Sequence, residues 1–175
     1  KNMVKPSNVF VNFQRRYTEN YQKLRQIINE KKYGEPLLVE INYSRGLKTN
    51  GSHMVDLITF LFPDNLELIW VESTNNNSNP NFILQLPNKL IINFCGIKSN
   101  FHNLDIRVVF QEARISIEHG EMSLRTEVVR KNELFEGYFC LYDESSINLG
   151  LSGFSRSFDK ALDDLISSVQ KKCQP

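Results

Sequence analysis

Apolar residues recur at helical spacing in three parts of this chain and alternate with polar residues through much of the rest. Over residues 15–32 the apolar positions lie three or four residues apart, which predicts a helix that Gly34 ends. Residues 51–62 are almost wholly apolar and stop at Pro63, which predicts a second helix that is buried. A last helix is predicted from about Ser157, with one apolar stripe formed by Ala161, Leu162, Leu165, Ile166 and Val169.

Short β-branched and aromatic runs between turn residues predict the strands. Alternation over residues 104–111 places one set of apolar side chains in a core and leaves Asp105 and Arg107 on the opposite face. Residues 73–80 are polar and predict an exposed loop, whereas Trp70 is expected in the core or at a subunit interface. The predicted strands cover residues 9–13, 37–43, 66–71, 82–86, 89–95, 104–111, 114–118, 122–130 and 138–142.

This order of elements predicts an α+β domain. Helices followed by many strands favour an open-faced, largely antiparallel mixed β-sheet with helices packed on one face. The other face of such a sheet is either wet or covered. Because the chain is rich in apolar residues, we expect that face to bury against a second copy or another domain.

Composition and charge narrow the class of function. The chain has 175 residues, enough for one domain, with 41% apolar and 23% charged residues. Its 21 basic residues nearly balance its 20 acidic ones, which argues against binding to nucleic acid or to a membrane surface. The longest apolar run, residues 54–62, is too short to cross a bilayer.

The cysteines and histidines do not suggest a disulfide framework or a metal site. Cys95, Cys140 and Cys173 are odd in number and far apart, so we expect free thiols in a reducing, cytoplasmic setting. His102 and His119 have no second ligand at metal-binding spacing, so no metal is expected.

His53 is the candidate for proton transfer. It falls in the first turn of the second predicted helix, where the helix dipole disfavours the protonated imidazole. A neutral imidazole can act as a general base, although packing or capping of the helix would also explain a histidine there. Tyr43 and Arg45 lie two residues apart on a predicted strand, so we expect them to share one face and to form the wall of a polar pocket.

Four segments carry a family resemblance. They are Val-Asn-Phe-Gln-Arg-Arg-Tyr at residues 11–17, Gly-Glu-Pro at 34–36, Tyr-Ser-Arg-Gly-Leu at 43–47 and Asn-Gly-Ser-His-Met-Val-Asp-Leu at 50–57. In this order and at these spacings they resemble the C-terminal domain of the glucose–fructose oxidoreductase and inositol dehydrogenase family (Gfo/Idh/MocA). A weaker match covers residues 113–120.

The resemblance implies one part of a two-domain oxidoreductase that uses NAD or NADP and acts on a sugar, polyol or sugar nucleotide. Residues 1–14 would be a remnant of the nucleotide-binding domain's last strand, and 15–175 the substrate-binding and oligomerisation domain. The chain lacks a Gly-x-Gly-x-x-Gly fingerprint, and Val4 precedes Lys5 where the family's catalytic lysine follows an acid. We therefore expect the cofactor and that lysine in a missing N-terminal Rossmann domain, and no cofactor in this chain.

The same resemblance implies the residues of the site. His53 would be the acid or base that works with the lysine outside the chain, and Arg16 would pair with a carboxylate of this domain. Thr49 stands where the family commonly has an Asp or Asn. The residues expected to line the substrate side are Gln14, Arg15, Tyr43, Arg45, Thr49 and Asn50.

Two further expectations concern the ligand and the partners. Arg15 and Arg45 together favour an anionic substrate, such as a nucleotide sugar or a uronic acid. The expected partners are a sugar-like small molecule, the missing Rossmann domain and a second copy bound through the sheet face. The alternative is a non-catalytic dimerisation or binding module that uses the open sheet and keeps His53 only for packing.

Overall fold

The chain forms one eight-stranded sheet with helices against it. The computed structural model describes residues 11–72, 78–148 and 150–171. The helices are a 3-10 turn at Gln14–Tyr17, α1 at Glu19–Asn29, a π-helical turn at Leu47–Gly51, α2 at Ser52–Leu61 and α3 at Gly150–Lys171. The strands are β1 Pro36–Tyr43, β2 Glu67–Val71, β3 Phe82–Gln85, β4 Ile91–Gly96, β5 Leu104–Phe110, β6 Ala113–Glu118, β7 Ser123–Lys131 and β8 Phe139–Asn148.

The sheet is mixed but mostly antiparallel. Its strand order is β2-β3-β4-β1-β5-β6-β7-β8, and β1 pairs in parallel with β4 while the other pairs are antiparallel. β1 lies in the middle of the sheet, between β4 and β5. In the chain it is followed by the π-helical turn and then by α2, so α2 starts at the end of a central strand. The predicted α+β class is confirmed.

Alternation along the central strands sets the covered face of the sheet. Val39, Ile41 and Tyr43 of β1 are fully buried and belong to one core cluster with residues of α1 and α2. Apolar side chains of β5 alternate inward in the same way, as predicted. Full burial of such a side chain contributes roughly 1.5–3 kcal/mol to folding, so this face accounts for much of the domain's stability. Leu37, near the start of β1, is 56% exposed.

The opposite face of the sheet carries ion pairs and is not a uniformly apolar surface. Arg114 on β6 holds the Glu127 carboxylate on β7 at two points, 2.6 and 2.7 Å. Arg125 contacts Asp143 of β8 at 2.6 Å. A partner that covers this face would therefore have to accommodate charges across the outer strands.

The first predicted helix is interrupted. Thr18 has an extended backbone, with φ −69° and ψ 134°, and separates the 3-10 turn from α1. Periodicity alone does not show such a break, because Tyr17, Tyr21 and Leu24 keep helical spacing in the sequence on both sides of it. The strand predicted at residues 9–13 is absent over 11–13, and residues 9 and 10 lie outside the described residues.

β2 is an edge strand that pairs with β3 and is exposed along its length, so of the two places predicted for Trp70 the core is wrong and a subunit interface stays a prediction. Trp70 there is 49% exposed, so it is not in the core of this chain.

The last helix also packs differently from the prediction. It starts at Gly150, and the small residues Ser157, Ala161 and Ser168 are buried, whereas Leu162, Ile166 and Val169 of the predicted stripe are exposed. Small side chains allow the helix to lie close to the 3-10 turn, where the Tyr17 hydroxyl donates to Asp164 at 2.5 Å. Within the described residues, no helix is both long and apolar enough to cross a membrane.

We predict that Ile41→Ala lowers the free energy of unfolding by about 2–5 kcal/mol, because it opens a cavity under the central strand. Chemical denaturation of the purified chain measures this value. The matched control is Leu37→Ala on the exposed end of the same strand, which should cost about 1 kcal/mol or less. Equal losses in the two variants would contradict the assignment of the covered face.

Candidate functional site

His53 is the second residue of α2, but it is not at the start of the helical backbone. The π-helical turn Leu47–Gly51 precedes it, so the first-turn dipole argument does not apply as predicted. Gly51 makes this turn possible, since a Cβ there would lie 2.8 Å from Leu47 and 3.0 Å from the Tyr43 ring. Because Gly51 has no side chain, the backbone just before α2 lies in close contact with the Tyr43 ring of β1.

The His53 imidazole sits in a partly buried setting that keeps it neutral. Its Nδ1 is buried and has no hydrogen-bond partner within the described residues. Its ring and that of Phe13 are perpendicular, in an edge-to-face contact with centroids 5.4 Å apart. Burial lowers the pKa of His53, the positive charge of Arg15 lowers that pKa further, and Asp56 opposes the shift. The imidazole is therefore available to accept a proton near pH 7.

Arg15 and Glu121 form a buried charge pair beside this histidine. Arg15 lies on the 3-10 turn and is 7% exposed, while Glu121 lies in the turn between β6 and β7 and is 2% exposed. Their Nε and Oε2 atoms are 3.4 Å apart, and neither atom forms a well-directed hydrogen bond in the described structure. Sequence reasoning missed Glu121, because an acid in a turn is ordinarily solvated.

Burial dominates the proton equilibrium of Glu121. It raises the pKa of Glu121 to about 7, and the Arg15 charge opposes the shift. The Tyr21 hydroxyl is buried nearby without a partner in the described residues, and its pKa is raised by burial and then by the Glu121 charge. Asn20 fixes the turn by donating to the Glu121 carbonyl at 2.9 Å. The 3-10 turn, α1, α2 and the β6–β7 turn thus each contribute a buried polar group without a hydrogen-bond partner in the described residues. Such a concentration is characteristic of functional sites.

His102 is a second histidine in this region, and its role was not predicted. Asn50 Nδ2 lies 3.2 Å from His102 Nδ1, so the amide can donate to the unprotonated nitrogen. Burial lowers the pKa of His102, as do the charges of Arg15 and Arg45. The His102 ring also lies 3.5 Å from where a Cβ on Gly120 would stand, next to the β6–β7 turn.

Tyr43 was expected to line the pocket, but it lies in the core. Its ring packs against Phe82 and Phe94, and its hydroxyl donates to the Pro80 carbonyl at 2.5 Å. Arg45 does not share a face with Tyr43, because β1 ends at Tyr43 and Arg45 turns into solvent with φ 65°.

Two further residues of the predicted site lie near its edge. The Thr49 hydroxyl donates to the backbone carbonyls of Arg45 and Gly46, so it is occupied within its own turn. Gln14 is partly exposed beside Arg15 on the 3-10 turn.

Arg16 has the structural role that was predicted for it. Its Nε donates to Asp56 Oδ2 at 2.7 Å, and its Nη2 contacts Oδ1 of the same carboxylate. This two-point pair joins the 3-10 turn to α2, and so holds Arg15 and His53 near each other.

The described residues show neither the Gly-x-Gly-x-x-Gly turn of a dinucleotide site nor a cluster of metal ligands. A pyrophosphate site needs a Gly-rich turn between a strand and a helix. Gly150 and Gly153 instead lie within α3, and α2, β2 and β3 all intervene between the parallel strands β1 and β4. No cluster of metal-ligating side chains occurs in the described ranges.

We predict that the stability difference between wild type and Glu121→Gln depends on pH. A carboxyl with a folded pKa of about 7, against an unfolded value of 4.5, costs stability as pH rises through that interval. Wild type should lose about 3 kcal/mol relative to Glu121→Gln between pH 4.5 and pH 7.5. Denaturant unfolding at several pH values measures this difference.

Glu127→Gln is the control for that series. Arg114 lowers the pKa of Glu127, so its contribution is complete above the ordinary glutamate range and its difference from wild type should be flat between about pH 5 and 8. A flat Glu121→Gln series would show that Glu121 titrates as an ordinary solvated acid.

Comparison with known proteins identifies the fold. No protein-family model matches the chain, and no curated protein matches it in sequence. Among solved structures, a dehydrogenase (MviM) from Clostridium difficile is 13% identical with a TM-score of 0.67, covering 94% of this chain and 55% of its own. A super-repressor mutant of Gal80p from Saccharomyces cerevisiae is also 13% identical with a TM-score of 0.67, and the match covers 94% of this chain and 53% of Gal80p.

A third similar structure is an inositol dehydrogenase homologue from Azotobacter vinelandii, solved with NADH and myo-inositol. It is 13% identical with a TM-score of 0.58, and the match covers 76% of this chain and 41% of that one. The chain thus spans about half the length of the solved structures that it matches. It has the fold that proteins of the Gfo/Idh/MocA family show over that half, which confirms the resemblance at the level of the fold.

Proposed function

We propose that this chain is the substrate-binding and oligomerisation part of an NAD(P)-dependent oxidoreductase that acts on a sugar, polyol or sugar nucleotide. The observation that carries the proposal is His53, a neutral imidazole kept so by burial and by the Arg15 charge. The fold supports it, because structures of the same fold include an inositol dehydrogenase homologue bound to NADH and myo-inositol.

In this proposal each residue has a distinct task. His53 takes the proton of the substrate hydroxyl during oxidation, or returns it during reduction. Arg15 and Gln14 of the 3-10 turn offer hydrogen-bond donors to the substrate, and Asn50 orients His102 through their 3.2 Å contact. NAD or NADP, held by a separate Rossmann domain, would supply or accept the hydride.

A non-catalytic binding module is the second candidate, and one observation favours it. In a catalytic base the other ring nitrogen is usually held by a third group. Here His53 Nδ1 has no such partner in the described residues, and the Asp56 carboxylate is bound by Arg16. The same fold also occurs in Gal80p, a mutant of which was solved as a super-repressor.

In the protein that joins this chain to a dinucleotide-binding domain, we predict that His53→Ala lowers kcat by about 100-fold or more on a sugar substrate. The acid limb of the pH–rate profile should also disappear, because protonation of His53 no longer removes the base. Steady-state kinetics across pH measures both effects. Ser52→Ala, which removes a hydroxyl bonded to Lys48 and Thr49 carbonyls, is the control and should retain turnover within about threefold. Full activity of His53→Ala would favour the binding module.

We also predict that this chain forms a dimer through the outer face of the sheet, as measured by multi-angle light scattering. Arg107 is exposed on the outer face of β5 and pairs with Glu40, so Arg107→Glu places two acids side by side and should block a partner lying flat there. Gln26→Tyr on exposed α1 is the control. A wild-type monomer at high concentration, or dimers in both variants, would contradict this interface.

A further inference from the structure

Glu121 has no role in the proposal above, yet it lies at the centre of the site. We propose that Glu121 is a specificity-determining residue: by holding and offsetting the Arg15 guanidinium, it makes the site favour an uncharged sugar over one that carries a carboxylate or phosphate. This inference rests on the proposed function, because it takes the surroundings of His53 and Arg15 as the substrate side. It also reverses the expectation of an anionic substrate.

The fold itself has no need for an acid at this position. Glu121 has φ 75°, a left-handed backbone that costs a non-glycine residue of order 1–3 kcal/mol. Its side chain is buried, and its Oε2 has no hydrogen-bond donor among the described residues. Burying an acid with incomplete pairing is a further cost. A strained and poorly solvated carboxyl points to a role in the site, since it does not contribute to stability.

The role of Glu121 follows from the charge of Arg15. A guanidinium offers five N–H donors, and Glu121 is its one ionic partner in the described part of the chain. An uncompensated guanidinium attracts carboxylates and phosphates strongly. With Glu121 ionised 3.4 Å away, the pair has no net charge but keeps donors that can bind hydroxyl groups.

Glu121 is the ion-pair partner that offsets the charge of Arg15, and other titratable groups lie around the pair. Near pH 8 the imidazoles of His53 and His102 are neutral, because burial lowers both pKa values. Asp56 is bound by Arg16. Tyr21, His53 and His102 interact electrostatically with Arg15, and Asp105 acts on Tyr21 and His102. Asp56 acts on His53, and the exposed Arg45 acts on His102.

The sign of the pH dependence follows from the raised pKa of Glu121. Above pH of about 7 its carboxylate offsets Arg15, so an anionic sugar is disfavoured. Below that value Glu121 is protonated and the Arg15 charge is uncompensated. Discrimination against an anionic sugar should therefore weaken as pH falls from 8 to 6.

The test uses ¹⁵N-labelled chain and two probes, D-glucose and D-glucuronate, which differ by a hydroxymethyl against a carboxylate. Dissociation constants come from NMR shift changes at pH 8 and pH 6. In Glu121→Gln at pH 8 the ratio of the two constants should move toward glucuronate by about tenfold or more, the effect of one nearby uncompensated charge. Glu127→Gln removes another buried, Arg-paired acid and should change the ratio less than about twofold.

In the wild-type chain the ratio of the two dissociation constants should also move toward glucuronate when the pH falls from 8 to 6. In Glu121→Gln the ratio should not change with pH. The shift of the ratio toward glucuronate should be absent from the Arg15→Gln, Glu121→Gln double variant. An unchanged ratio in Glu121→Gln, including no binding of glucuronate, overturns the inference. So does a gain that survives loss of Arg15.

These outcomes separate the inference from the proposed function. If wild type binds glucose but the Glu121→Gln ratio is unchanged, the inference fails and the sugar site stands. If wild type binds neither sugar but Glu121→Gln binds glucuronate through Arg15, the sugar site fails and the charge balance stands. Glu121→Asn, whose residue type tolerates a left-handed backbone, repeats the test if the Gln variant does not fold.

Discussion

The two-point ion pair between Arg16 and Asp56 fixes the geometry of the whole candidate site. It ties the 3-10 turn to α2 across 40 residues of sequence. Arg16 faces α2, and its neighbour Arg15 is buried against the β6–β7 turn. The same connection brings the Phe13 ring into edge-to-face contact with the His53 ring. It therefore helps to keep Arg15, whose charge lowers the pKa of His53, near the imidazole.

Much of the fold could be predicted from the sequence, because side-chain alternation directly reports which face of a strand is buried. The pattern in β5 and the position of α2 followed from it. The predictions that were wrong concern features set by contacts between elements and not by the local sequence pattern. An extended Thr18 splits one periodic segment, and α3 buries its small residues while Leu162, Ile166 and Val169 are exposed. Local periodicity carries no information on which side of a helix a neighbour will lie.

The site was predictable only in part. His53, Arg16 and Asn50 stand in segments whose order resembles a family, and the structure places them together with Arg15. Tyr43 was misassigned because the strand ends there and its ring is needed in the core. Glu121 and His102 gave no signal, since their contacts come from residues distant in sequence: Asn20 of α1 for Glu121 and Asn50 of the π-helical turn for His102.

The exposed edge strand β2 has a practical consequence for handling the protein. Its outer N–H and C=O groups are unpaired in the described structure and are flanked by Leu68, Ile69 and Val71, a combination that favours addition of a foreign strand. Trp70 is the chain's one tryptophan and lies on this edge. Its fluorescence therefore reports on self-association along β2, separately from events around His53, and a blue shift on concentrating the sample would reveal it.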